Sequence, residues 1–179
     1  YYVIGHFHYV VAPGTLMALF GGIYYWFPKA TGRKMNDMLG KIHFWGSFIA
    51  INVVFMPMFI QGLSGMNRRM YDGGAQYVMN QDVLYLNEVI GMGAWTLGFF
   101  QLFFIYNFFN SIKNGEKVGA NPWNATTLEW QAPSPPPHGN FATPPVAHRG
   151  PYEYSVPGAE KDFLMQGEPD QTAAEPARV

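Results

Sequence analysis

The chain has 179 residues, of which 13% are charged, 17% are aromatic and none is cysteine, and its formal net charge is −1 at pH 7. Without a thiol, a disulfide framework, a thiolate zinc site, an iron–sulfur cluster and a cysteine nucleophile are all excluded. With so little net charge there is neither a basic field for nucleic acid nor an acidic tract. The charge is also unevenly placed: residues 1–112 hold 10 of the 23 charged residues, while residues 113–179 hold 13 together with 11 of the 14 prolines. That division predicts a membrane protein with a polar tail.

The first predicted element runs from Val3 to Phe27, 25 residues without Asp, Glu, Lys or Arg. At about 1.5 Å rise per residue it is longer than the roughly 30 Å hydrocarbon layer, so it is predicted to cross a membrane. It is too long and too aromatic for a signal-peptide core, and no initiator Met or cleavage-like boundary precedes it, so the sequence is expected to begin inside a larger protein. His6 and His8 lie near its start. At about 100° per residue the two side chains point roughly 200° apart, so one helix cannot bring both to a single metal ion. Ionisable groups at membrane depth are rare and mark sites by default. Two readings follow. Each imidazole serves as an axial ligand to its own haem, with Phe7 projecting between the two, or both are hydrogen-bonded residues within a helix bundle.

The loop after this span carries Lys29, Arg33, Lys34 and Lys41. A second uncharged stretch covers 42–62 and a third covers 89–112. Each is long enough to span. Pro13 and Pro57 sit inside spans, where a missing N–H kinks the helix and frees a carbonyl. Gly21–Gly22 and the Gly91/Gly98 pair are expected to allow close helix contact. Lys113 and Lys117 follow the third span, whereas the loop between spans two and three has only Arg68 and Arg69. The positive-inside rule therefore places the first loop and the C-terminus in the cytoplasm or its organellar equivalent, with span one entering from the outside. Arg68 and Arg69 then form an adjacent cationic pair on the disfavoured side, which points either to a specific anionic partner or to a solvated loop. The fold class is all-α: three transmembrane helices over 1–112 and an extended, Pro-rich polar tail over 113–179. No internal repeat is visible.

Several segments resemble one family, in order and over about residues 1–140. Tyr1-Tyr2-Val3-Ile4-Gly5-His6-Phe7-His8-Tyr9-Val10 resembles the start of the tenth transmembrane helix of subunit I of the haem–copper oxygen reductases, the cytochrome c oxidase family. Trp26-Phe27-Pro28 and Gly40-Lys41-Ile42-His43-Phe44 look like the end of that helix and the beginning of the next. Gly62-Leu63-Ser64-Gly65-Met66-Asn67-Arg68-Arg69 is similar to the family's arginine-pair loop, with Asn67 where Pro is usual. Asn121-Pro122-Trp123-Asn124-Ala125-Thr126-Thr127-Leu128-Glu129-Trp130, followed by Ser134-Pro135-Pro136-Pro137, is similar to the tail of bacterial members.

The resemblance implies that the chain is the last three helices of a twelve-helix bundle. His6 would be the catalytic residue, as proximal ligand of the high-spin haem where oxygen is reduced, and His8 one axial ligand of the low-spin haem. Phe7 would lie between the haems, which are expected to be a-type, and Arg68 and Arg69 would hold haem propionates. Copper belongs to the complete subunit, with no ligand in this chain. The implied activity is reduction of O2 to water with electrons from cytochrome c or quinol, coupled to proton pumping. The implied partners are the remainder of subunit I, oxidase subunits II and III and the lipid bilayer, in the bacterial plasma membrane. Taken alone, the fragment is expected to be inactive. The alternative is a non-catalytic membrane cytochrome holding low-spin haem between paired histidines, and a further one is a structural or transport subunit without cofactor.

The remaining candidates have quieter readings. His43 is expected to hydrogen-bond near the cytoplasmic interface, and His138 and His148 to be solvated in the tail. Tyr24, Tyr25, Trp26 and Trp123 are expected to anchor at the membrane interface. Asn124-Ala125-Thr126 matches a glycosylation pattern on the wrong side of the membrane and is set aside.

Overall fold

The computed structural model describes residues 1–76, 78–150 and 164–169. Among them are three helices long and apolar enough to cross a membrane. We number them α1 (Tyr2–Thr31), α2 (Asp37–Leu63) and α3 (Leu86–Asn114). The all-α membrane fold expected from the sequence is therefore present.

Helix α1 is α-helical over Tyr2–Tyr9, widens into π turns over Val10–Met17 and returns to α over Ala18–Thr31. Pro13 lies inside the widened stretch. Its missing N–H and the bulk of its ring against the preceding turn favour such a bulge. Helix α2 starts on Asn36, whose side chain accepts from Leu39 N at 3.0 Å, and Asp37 complements the helix dipole in the first turn. Its other end is a Schellman turn. Gly65 takes a left-handed φ of 86°, Met66 N donates to Gln61 O (3.0 Å) and Gly65 N to Gly62 O (3.1 Å).

Residues 1–25 and 35–114 make one compact unit, and residues 26–34 with the chain from Gly115 onward make a second. In the first, α2 is the inner helix and buries far more of its span than α1 or α3. Ile51, Val54 and Phe55 form its core, with Tyr9, Met58, Ile90 and Leu97 packed around them. The close approaches differ from those expected. Gly21, Gly91 and Gly98 face open space, whereas a Cβ on Gly46 would enter the Phe100 ring and one on Gly62 would enter the backbone of Tyr2. Glycine spacing signals a helix face that can come close; which face finds a partner is decided elsewhere.

A polar seam joins α2 to its neighbours. His43 is only 2% exposed, its Nε2 lies 3.1 Å from Gln101 Oε1, and its Nδ1 lies 3.4 Å from the Tyr24 hydroxyl. Phe20 and Phe104 enclose the ring. The hydrogen-bonding role expected for His43 is thus carried out inside the bundle, and Tyr24 turns its hydroxyl toward it. Gln101 continues to Ser47 Oγ at 2.9 Å. Farther along, the fully buried Asn107 accepts from Asn36 N (3.0 Å) and donates to Asn36 O (2.9 Å), while Ser111 Oγ donates to its Oδ1 at 3.0 Å. Such groups are satisfied in hydrocarbon only by each other. Asn36 O keeps the bond from Gly40 N, but Asn107→Leu leaves Asn36 N and Ser111 Oγ without a partner, and a loss of about 2–3 kcal/mol is expected in thermal denaturation of the detergent-solubilised protein.

The second unit pairs β1 (Arg33–Lys34) antiparallel with β2 (Glu116–Lys117). Lys29 Nζ donates to Ala120 O (3.0 Å) and Ala132 O (2.6 Å) and sits 5.1 Å above the Trp130 ring, which is 1% exposed. Lys34 lies over Trp123, and Arg33 donates to Gly115 O at 2.7 Å. Trp26 Nε1 donates to Glu129 Oε1 at 3.4 Å. The described residues of the tail have little regular structure, yet Trp130, Ala132, Arg149, Leu164 and Gln166 are buried among them. His138 and His148 are exposed, as expected.

Candidate functional site

His6 and His8 stand on the α-helical first turns of α1, before the π stretch begins at Val10. The 100° step used to separate them therefore applies where they are. The His8 ring stacks on Phe55 of α2, with centroids 4.9 Å apart and planes 17° from parallel. It is half-buried. His6 is exposed, and among the described residues its ring has no hydrogen-bond partner. The two imidazoles meet different surroundings, which is what opposite projection requires. Phe7 is 55% exposed and meets the His8 ring edge-on at 5.3 Å.

The His8 ring has its tautomer set by one neighbour. Nδ1 lies 2.8 Å from Ile4 O, one turn back. A carbonyl oxygen only accepts, so Nδ1 carries the proton and Nε2 of the neutral ring keeps its lone pair. Ligating histidines are held in this way, the second nitrogen donating to a carbonyl that fixes ring orientation and basicity. Stacking on Phe55 restrains the remaining ring rotation. His8 is thus prepared to ligate through Nε2, and His6 offers a ring free of competing bonds among the described residues.

The arginine pair lies in the loop leaving α2, close to the start of α1. Tyr1 N donates to Met66 O at 2.9 Å, and Gly62 lets the Tyr2 backbone come against α2. Gly5 likewise rests on Phe55 O and Met58. These contacts put the histidine end of α1 and the loop after Leu63 at the same end of the bundle. Arg68 and Arg69 are both exposed, and among the described residues neither guanidinium has a hydrogen bond or ion pair. Arg69 has a left-handed φ of 60°. That conformation costs about 1–3 kcal/mol in a non-glycine residue and persists where the surroundings impose it. The residues fit haem: imidazoles able to ligate on two flanks of one helix, and paired guanidiniums that suit carboxylates in bidentate fashion.

Two side chains at this end escaped the sequence reading. Gln61 is wholly buried and its Nε2 donates to Val83 O (3.1 Å) and Asn87 Oδ1 (2.9 Å). Asn87 Nδ2 donates in turn to Gly73 O at 3.1 Å. A carboxamide inside the otherwise apolar run Phe55–Leu63 was the available signal.

The family described as Cytochrome C and Quinol oxidase polypeptide I matches residues 1–96. Alternative cytochrome c oxidase subunit 1 of Bradyrhizobium diazoefficiens is 45% identical over 175 residues, 97% of this chain and 30% of the relative. Cytochrome c oxidase subunit 1 of Synechocystis is 47% identical over 158 residues, 87% of this chain and 27% of the relative. Cytochrome c oxidase subunit 1 of Alkalihalophilus pseudofirmus is 37% identical over 156 residues, 86% and 24% of the two chains. The chain thus spans less than a third of the length of these relatives.

Proposed function

The chain belongs to the Cytochrome C and Quinol oxidase polypeptide I family, and from that premise we propose that it forms the last three helices and tail of the catalytic subunit of a respiratory haem–copper oxidase. The enzyme would reduce O2 to water with electrons from cytochrome c or quinol, coupled to proton pumping, in a bacterial plasma membrane. Its tail would be cytoplasmic, and the rest of subunit I and subunits II and III would complete it. When bound, two haems, of a type, would carry electrons toward O2 at a site shared with copper that other segments ligate.

This chain's residues form one wall of that site. Ile4 O and Phe55 fix the His8 ring with Nε2 left to ligate, and through that nitrogen His8 would hold the low-spin haem. His6 would supply the proximal imidazole of the high-spin haem on the other flank, and Phe7 would lie between the two haems. Arg68 and Arg69 neutralise propionates that would otherwise be uncompensated charge beside hydrocarbon. The observation that carries the reading is the His8 Nδ1 to Ile4 O bond beside a partnerless His6 among the described residues. A membrane cytochrome with paired histidines is less well supported, since both ring nitrogens of His43 already have polar neighbours, Tyr24 and Gln101.

Arg69→Leu in the complete oxidase tests the propionate contact. Unneutralised carboxylates stabilise ferric over ferrous haem, so the midpoint potential is expected to fall by on the order of 50 mV, close to the roughly 59 mV of a tenfold one-electron effect. Redox titration followed in the haem bands measures it. An unchanged potential and electron-transfer rate would remove the contact.

A further inference from the structure

We propose that Gln61 and Asn87 are positioning residues for the arginine pair, acting as a buried amide clasp that sets the loop on which Arg68 and Arg69 stand. The inference rests on the propionate reading above and adds to it the residues that make the arginines effective.

The loop from Met66 to Gly74 has little regular structure to hold it. Arg69, Asp72, Gly73 and Gly74 all take positive φ, with values of 60°, 46°, 68° and 92°. A segment of that kind keeps one shape only where other groups fasten it. It is fastened at two places. At its start, Met66 is buried, its N donates to Gln61 O and its O accepts from Tyr1 N. At its far side, Gly73 O accepts from Asn87 Nδ2. The two fastenings meet in one residue: Gln61 gives its backbone O to Met66 N, and its side-chain Nε2 binds Asn87 Oδ1 and Val83 O. Asn67, Arg68 and Arg69 lie between the fastenings and are exposed.

Gln61 therefore links the end of α2, the start of α3 and both limbs of the loop. Its Oε1 is buried without a partner among the described residues, so its side-chain hold runs through Nε2. Asn87 both receives that bond and passes the constraint to Gly73. Neither side chain reaches an anion itself. Their role is to limit where two guanidiniums can go, so that forked hydrogen bonds form at a fixed position.

The test uses the complete oxidase carrying Gln61→Leu, Arg69→Leu and the double substitution, each followed by redox titration and by haem content. Gln61→Leu is expected to keep both haems and to lower the haem midpoint in the same direction as Arg69→Leu, by a smaller shift. The double variant is expected to shift no further than Arg69→Leu alone, because Gln61 acts through the arginine. Amide hydrogen exchange across residues 66–74 should become about tenfold faster in Gln61→Leu. Asn87→Ala, which spares the Gln61 bond to Val83 O, supplies a second variant if Gln61→Leu does not assemble, and the same direction of shift is expected. An unchanged potential in Gln61→Leu, or in Asn87→Ala where that variant stands in, beside a shifted Arg69→Leu overturns the clasp, as does full additivity in the double variant. An unchanged Arg69→Leu overturns instead the propionate contact on which the clasp depends.

Discussion

His8→Ala in the complete oxidase is expected to abolish the low-spin haem spectrum while the high-spin haem persists, and His6→Ala to damage chiefly the oxygen-reacting haem. The expectation follows from geometry on a short stretch of helix. Both residues lie on regular α turns, so their side chains diverge by roughly 200°. One ring is stacked on Phe55 with Nδ1 held by Ile4 O, and the other is exposed. A ligand removed from one flank leaves the opposite flank its own. Reduced-minus-oxidised spectra with carbon monoxide as a probe of the high-spin haem separate the two losses. Equal loss of both haems from either substitution would contradict the opposite-flank arrangement.

The second large effect is expected at Gly62, where a side chain has no room. An added Cβ would lie in the backbone of Tyr2, and backbone yields far less readily than the end of a flexible side chain. Gly62→Val should separate the start of α1 from α2 and open the Tyr1 N to Met66 O bond beside it. Overpacking of a closed contact costs about 3 kcal/mol at its upper range, and the displacement here also moves His6 and His8. Assembled oxidase recovered from membranes, its haem-to-protein ratio and its thermal midpoint in detergent are all expected to fall. Normal haem content and stability in Gly62→Val would show that α1 and α2 do not depend on this approach.

Some of this was legible in the sequence because its physical cause is local. Charge is excluded from hydrocarbon, so the uncharged runs mark α1, α2 and α3 without knowledge of their neighbours. Helical rotation is fixed, so His6 and His8 could be set on opposite faces before any coordinates. The arginine pair stood out through its sidedness. What could not be read was pairing at a distance. Gln61 meets Asn87 across 26 positions, and Lys29 meets Ala132 across 103. Nothing near either residue announces its partner. The same lack of long-range information put the helix contacts at Gly21, Gly91 and Gly98, although Gly46 and Gly62 make them. It also left Lys29, Arg33 and Lys34 as orientation signals only, while in the fold they bind tail carbonyls and indole rings.

The tail illustrates a further limit of composition. Proline, with serine and glycine around it, suggested an extended polar tail, but Trp130 is among the most buried of the described residues. Its neighbours gather through backbone carbonyls and Gln166, whose N donates to Thr126 O at 2.8 Å and whose Oε1 accepts from Leu128 N at 3.0 Å. Proline content removes backbone donors and so disfavours helix and sheet, without preventing burial of an indole.

The most direct test of the central claim is an experimental structure of the assembled oxidase containing this chain, at a resolution that places imidazole rings against iron. His6 Nε2 is expected on one haem iron and His8 Nε2 on a different one, with α1 between them and His8 Nδ1 still on Ile4 O. Both rings free of iron, or both directed at the same haem, would contradict it.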